Sequence, residues 1–154
     1  MKILIRRLAF RILLGLWFIQ PVVEDAHAER LPVKTYTIAD GLPMDGIAVI
    51  RKDSGHRLWF GTGEGMAWFD GHRFTSYTTQ DGLPHRYVCD ILEDRDGAIW
   101  VGSGDGLCLF RHSAADLATH RGRPHFEVYR PKGFDPAGFW VNRLLDAGDG
   151  SLWC

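Results

Sequence analysis

"AIWVGSGDGLCLF", residues 98–110, decides the fold. After the apolar run Ile99–Val101 come three glycines at alternate positions, Gly102, Gly104 and Gly106, separated by Ser103 and Asp105. Glycines in that setting let backbone N–H groups close on an anion, as in phosphate-cradling loops. A phosphate loop occurs once and opens a helix. Here "LWFGTGEGMAWF" (58–69) matches "IWVGSGDGLCLF" (99–110) without a gap, 41 residues earlier, and a strand pattern follows each copy. The glycines are therefore expected to supply positive-φ positions in a tight hairpin of a repeated unit.

The same shift aligns more of the chain. Asp40-Gly41-Leu42-Pro43 falls on Asp81-Gly82-Leu83-Pro84, Tyr36 on Tyr77, Ile47 on Val88, Ile50 on Ile91 and Asp53 on Asp94. "FEVY" (126–129) repeats "FTSY" (74–77), and "VNRLLDAGDGSLW" (141–153) repeats "VCDILEDRDGAIW" (88–100) at an offset of 53. The twelve extra residues lie mostly in the polar stretch 111–124. Each period holds four short apolar segments bounded by Gly and Asp turns, without helical periodicity. A period near 40 with such strands indicates a propeller blade. The expected fold is all-β, an incomplete propeller of four-stranded antiparallel blades at about 36–77, 78–129 and 130–154.

Composition agrees with a globular chain, at 45% apolar and 24% charged residues. The N-terminus differs. Lys2, Arg6, Arg7 and Arg11 surround or precede the apolar run Ile12–Ile19, and Ala26-His27-Ala28 has the small-x-small form of a signal-peptidase site. The run is too short to span a bilayer comfortably. Residues 1–28 are expected to be a signal peptide cleaved after Ala28, with an uncleaved anchor as the alternative. Removing them takes four basic and two acidic residues from the 18 and 19 of the whole chain, leaving 14 and 17, a net charge of −3. That balance argues against nucleic acid as a partner.

The repeat also weighs the chemically suggestive residues. Asp94-Arg95-Asp96-Gly97 begins like a calcium loop but lacks the later ligands, and its counterpart Asp53-Ser54-Gly55-His56 has lost the second carboxylate. A strand-joining turn is expected, and no metal or cofactor. His56, His72, His85, His112, His120 and His125 show no ligand spacing and are expected to be solvated loop residues. Cys89 and Cys108 lie in apolar strands, as buried thiols or a disulfide, and Cys154 leaves the number odd. Trp59, Trp100 and Trp153 are equivalent, and are expected to fill the core between blades rather than stack on a sugar. No catalytic set recurs. An exported propeller lyase or hydrolase remains an alternative, with Asp90, Glu93 and Asp146 on inner strands but no repeated His. A protein-binding scaffold is another.

The unit "DGLPxxxVxxIxxDxxGxIWVGSxxGLxxF", as it stands from Asp81 to Phe110, resembles the two-component regulator propeller repeat. The likeness extends over about residues 36–154, with Lys132-Gly133-Phe134-Asp135-Pro136 standing in the third copy for Asp-Gly-Leu-Pro. The resemblance implies a non-enzymatic, exported, periplasmic sensor region. In that family a membrane helix leads to a cytoplasmic histidine kinase or diguanylate cyclase, and the full-length protein is membrane-anchored and dimeric. It also implies a small-molecule ligand, a saccharide in several members. The pattern runs out inside the second strand of the third copy, so a truncated N-terminal fragment of such a sensor is expected.

Strand geometry locates the candidate site. In an antiparallel blade, the loop entering the first strand and the turn joining strands two and three share one rim; the Asp-Arg-Asp-Gly turn lies at the other. Rim loops on a rigid scaffold carry function. The residues there that differ between copies, His85, Arg86, Glu64 and Asp105, are the candidate ligand-binding residues.

Overall fold

Strands form where apolar residues cluster in short runs and stop where Asp-Gly or Gly-rich turns intervene. The computed structural model describes residues 32–112, 124–130, 132–133 and 139–154. The expected signal peptide, His120 and most of the inserted stretch 111–124 lie outside the described residues, as does Phe134-Asp135-Pro136 of the third copy. Within the unit Thr35–Cys154, the first blade consists of β1 (Ile47–Lys52), β2 (Leu58–Thr62), β3 (Gly65–Phe69) and β4 (Phe74–Tyr77). The second consists of β5 (Val88–Glu93), β6 (Ile99–Ser103), β7 (Gly106–Arg111) and β8 (His125–Tyr129). Both are antiparallel meanders in sequential order. A short hairpin, β9 (Leu145–Asp146) with β10 (Leu152–Trp153), begins a third. The fold is all-β, built of propeller blades.

The repeat reaches the backbone irregularities. The register of β1 on β2 shifts between Ile47 and Val49, and that of β5 on β6 between Val88 and Asp90, one bulge at the same place in each blade. Blades meet through an apolar layer in which Val49, Trp59, Met66 and Trp68 of the first join Val88, Ile91, Ile99, Val101, Cys108 and Phe110 of the second. Gly61 and Gly102 are small because the next blade sits on them. A Cβ on Gly61 would lie 2.8 Å from Val88 Cγ1, and one on Gly102 would lie 2.7 Å from the Val141 carbonyl oxygen.

That observation corrects the expectation for the Gly-rich turn. Only its last glycine has positive φ, 140° at Gly65 and 95° at Gly106. The two turn residues, Gly63-Glu64 and Gly104-Asp105, are not in the left-handed region, and the strain falls on the residue that closes the turn. A hydroxyl spans each turn: Thr62 Oγ1 donates to the Gly65 carbonyl (2.9 Å) and Ser103 Oγ to the Gly106 carbonyl (3.0 Å). The same hydroxyls accept from the Glu64 and Asp105 amides.

The turns that begin at Asp53 and Asp94 are occupied by internal hydrogen bonds. Asp94 Oδ1 accepts from the Asp96 and Ala98 amides, and Oδ2 accepts from the Trp100 indole at 2.7 Å. Asp53 does the same for the Arg57 amide and the Trp59 indole (both 2.8 Å) and pairs with the Arg57 guanidinium at 2.6 Å. Burial pushes the Asp53 carboxyl up, but the indole, the Arg57 amide and the Arg57 guanidinium outweigh it and hold it below its ordinary range. A lowered folded-state pKa contributes stability that is present above the unfolded-state value of about 4 and is lost as pH falls through the folded one. Asp53→Asn should therefore flatten the acid limb of the melting-temperature profile below about pH 4, while wild type loses stability there. Identical acid limbs in thermal melts would refute this role.

Cys89 and Cys108 are free buried thiols on β5 and β7, with β6 between them. Two strand spacings of about 4.8 Å place their backbones too far apart for a disulfide. Burial alone pushes the Cys108 thiol up to about 12, and burial and Asp90 raise Cys89 against the pull of Arg143.

Candidate functional site at one rim

The rim is built from the Asp-Gly-Leu-Pro segments. Each ends a 3-10 helical turn, Ile38–Asp40 or Thr79–Asp81, preceded by a threonine cap. Asp40 Oδ2 accepts from the Thr37 amide and Asp81 Oδ2 from the Thr78 amide, both at 2.8 Å. Gly41 and Gly82 follow at φ 108° and 98°, which lets the chain reverse and buries Leu42 and Leu83. Proline then leads into the inner strand. The segment therefore anchors the loop 84–87 to the apolar interior and sets where its side chains emerge.

Three of the four candidate residues come together. Glu64 on the β2–β3 turn of the first blade pairs with Arg86 on the loop entering the second, Oε1 to Nη1 at 2.7 Å. They line a cleft of about 600 Å³ with Pro43, Thr78, Thr79, Gln80, Pro84 and His85. Both side chains are at least half exposed, at 50% for Glu64 and 66% for Arg86. Such a pair contributes at most about 1 kcal/mol, so its charges are available to a ligand at little expense to the fold.

Asp105, the counterpart of Glu64, lies one blade further round and pairs with Arg130 beyond β8. It is not among the residues lining the cleft. His85 is half-buried rather than solvated. Its ring covers Gly104, its Nδ1 accepts from the Tyr87 amide (3.1 Å), and it meets the Trp140 ring edge-on at 5.7 Å. His112 also departs from the solvated expectation, packing its ring on Phe110 at 5.2 Å and Trp59 at 6.2 Å. His56, His72 and His125 are exposed.

Sequence reasoning passed over two residues here, Tyr87 and Trp140. They are equivalent at the offset of 53, each standing immediately before the valine that opens an inner-strand segment, Val88 or Val141. Their rings lie 5.5 Å apart and are 42% and 49% exposed. The signal was an aromatic residue recurring at a loop position where the first copy has Gly46.

The opposite rim carries the turns that begin at Asp53 and Asp94 and joins blades by pairs at equivalent positions. Ser54 donates from its amide and hydroxyl to Glu93 (2.6 and 2.8 Å), and Arg95 meets Asp146 at 3.4 Å. Between the rims, fully buried Asp90 on β5 accepts from Arg51 Nη2 (2.8 Å) and from the Leu144 amide (3.0 Å), tying all three repeats. Both its oxygens are engaged, so it serves as a structural link. Among the described residues, no helix is long and apolar enough to cross a membrane.

Residues 82–105, from the Gly82 reversal to Asp105, match the family model of the two component regulator propeller, a non-catalytic repeat. No curated protein matches the chain.

Proposed function

We propose that this chain, which carries a two component regulator propeller repeat, is the ligand-sensing part of an exported signalling protein and binds a saccharide at the Glu64–Arg86 rim. The cleft between the first two blades carries the reading. Its lining combines an exposed carboxylate and guanidinium with the Thr78, Thr79 and Gln80 segment, which suits a ligand rich in hydroxyls. Convergent polar groups in a concave site on a rigid scaffold are the usual form of a small-molecule site. The periplasmic location, membrane attachment and dimeric state of the whole protein belong to the same proposal.

The test is calorimetric titration of the chain with maltohexaose, cellohexaose, xylohexaose and chitohexaose. One of them is expected to bind, and Arg86→Ala to weaken it about tenfold, the loss of a charged hydrogen bond to ligand. Absence of binding by all four would overturn the saccharide reading.

A further inference from the structure

The exposed aromatic residues of the rim are not distributed at random. Tyr87 and Trp140 come from successive repeats and face one another across the boundary between the second and third blades. His85 touches Trp140 on one side and lines the Glu64–Arg86 cleft on the other. Arg86 and Tyr87 follow it in the chain, so cleft and aromatic pair form one continuous surface. Beyond it, Gly104 under the His85 ring leads directly to Asp105 and its partner Arg130. The sequence along the rim is charged pair, aromatic pair, charged pair.

We infer that Tyr87 and Trp140 form a stacking subsite, so that the ligand is an elongated saccharide spanning two blade boundaries rather than a single ring. This rests on the rim-binding reading above. An aromatic face left in water favours a partner with an apolar face, and the polar edges of that partner need hydrogen-bonding neighbours. A pyranose ring has both. One ring on the aromatic pair leaves the cleft beyond His85 for the rings that follow. The tilt of 55° between the two aromatic planes allows one ring to lie flat on Trp140 while its edge meets Tyr87.

The experiment compares the hexaose that binds with the disaccharide of the same sugar, on wild type, Trp140→Ala and Tyr87→Ala. Both aromatic residues are a little under half exposed, and unchanged melting temperatures will show that the variants fold. Wild type is expected to prefer the hexaose. Trp140→Ala should lose about tenfold in hexaose affinity, with Tyr87→Ala losing somewhat less, while disaccharide binding at the Arg86 cleft stays as it was. Quenching of tryptophan fluorescence by the hexaose should disappear in Trp140→Ala. Hexaose affinity unchanged in both variants, with Arg86→Ala still impaired, would overturn the stacking subsite and leave the cleft standing. No saccharide binding in wild type would overturn both.

Discussion

Trp59→Ala should destabilise the chain by about 3–5 kcal/mol in chemical denaturation, whereas Trp153→Ala should change stability by no more than about 0.5 kcal/mol. The two tryptophans are equivalent in sequence and differ in surroundings. Trp59 is 1% exposed, packs on Trp68 and reaches across the blade boundary to Phe110 at 5.7 Å. Its removal opens a cavity between two blades and withdraws the indole donor from Asp53, a carboxylate that is itself buried. Trp153 is 67% exposed, and Ala147 stands where Asp53 and Asp94 hold their indoles. Trp100 is intermediate: its indole is bound to Asp94 and its ring lies on Tyr129 at 5.2 Å, but it is only half-buried. Trp59→Phe, which keeps an aromatic ring and loses the hydrogen bond, should fall between the extremes. Equal losses at positions 59 and 153 would refute the account.

Those tryptophans mark the limit of what a repeat makes legible. Strand order and hairpin positions could be read from the 41-residue register because they depend on local patterning that each copy carries in full. The side-chain role of a repeated position depends on the neighbouring blade, which the pattern does not contain. Core filling between blades describes Trp59 and not Trp153 for that reason. The links between blades were hidden for another. Ser54 with Glu93 and Arg95 with Asp146 use the same two positions, yet the donor changes from a serine to an arginine and the carboxylate from Glu to Asp, so matching residues by identity passes over them. Asp90 is harder still. Its counterparts are Val49 and Arg143, so one copy alone supplies the carboxylate that joins Arg51 to Leu144.

The candidate site was legible to the extent that topology determines it. The side of the blade on which a loop emerges follows from strand direction, and that reasoning brought Glu64, His85 and Arg86 to one rim before any contact was visible. It could not separate Asp105 from them, because Glu64 and Asp105 are the same position one blade apart and differ only in which arginine lies within reach. Tyr87 and Trp140 escaped because the 41-residue shift sets Tyr87 against Gly46, and the aromatic recurs only at the offset of 53. Exposure is settled by how the incoming loop turns, and for Tyr87 the Asp81-Gly82-Leu83 reversal that turns it leaves the ring outside.

Gly65→Ala should destabilise the chain by about 2–4 kcal/mol, and Gly104→Ala by about 1 kcal/mol or less, although both glycines belong to the same kind of turn. Gly65 sits at φ 140°, where an L side chain is strained whatever the space, and a Cβ there would also drive into the Tyr77 carbonyl oxygen. That oxygen is backbone at the end of β4, next to the Thr78 cap, so relief requires moving an outer strand and the turn that enters the next blade. Gly104 is not in the left-handed region, and its Cβ would meet the imidazole of His85 instead. A ring at the end of a side chain can swing aside, and the cost is then a lost contact rather than a displaced backbone. The consequence moves from stability to the rim, because the displaced ring is the one that touches Trp140 and lines the Glu64–Arg86 cleft. Denaturation of both variants, read beside the tryptophan fluorescence of the folded state, separates the two outcomes. Gly65→Ala should lower the midpoint strongly, and Gly104→Ala should mainly alter the emission. If Gly104→Ala is as destabilising as Gly65→Ala, His85 is locked in place, and the flexibility assigned to that part of the rim is wrong.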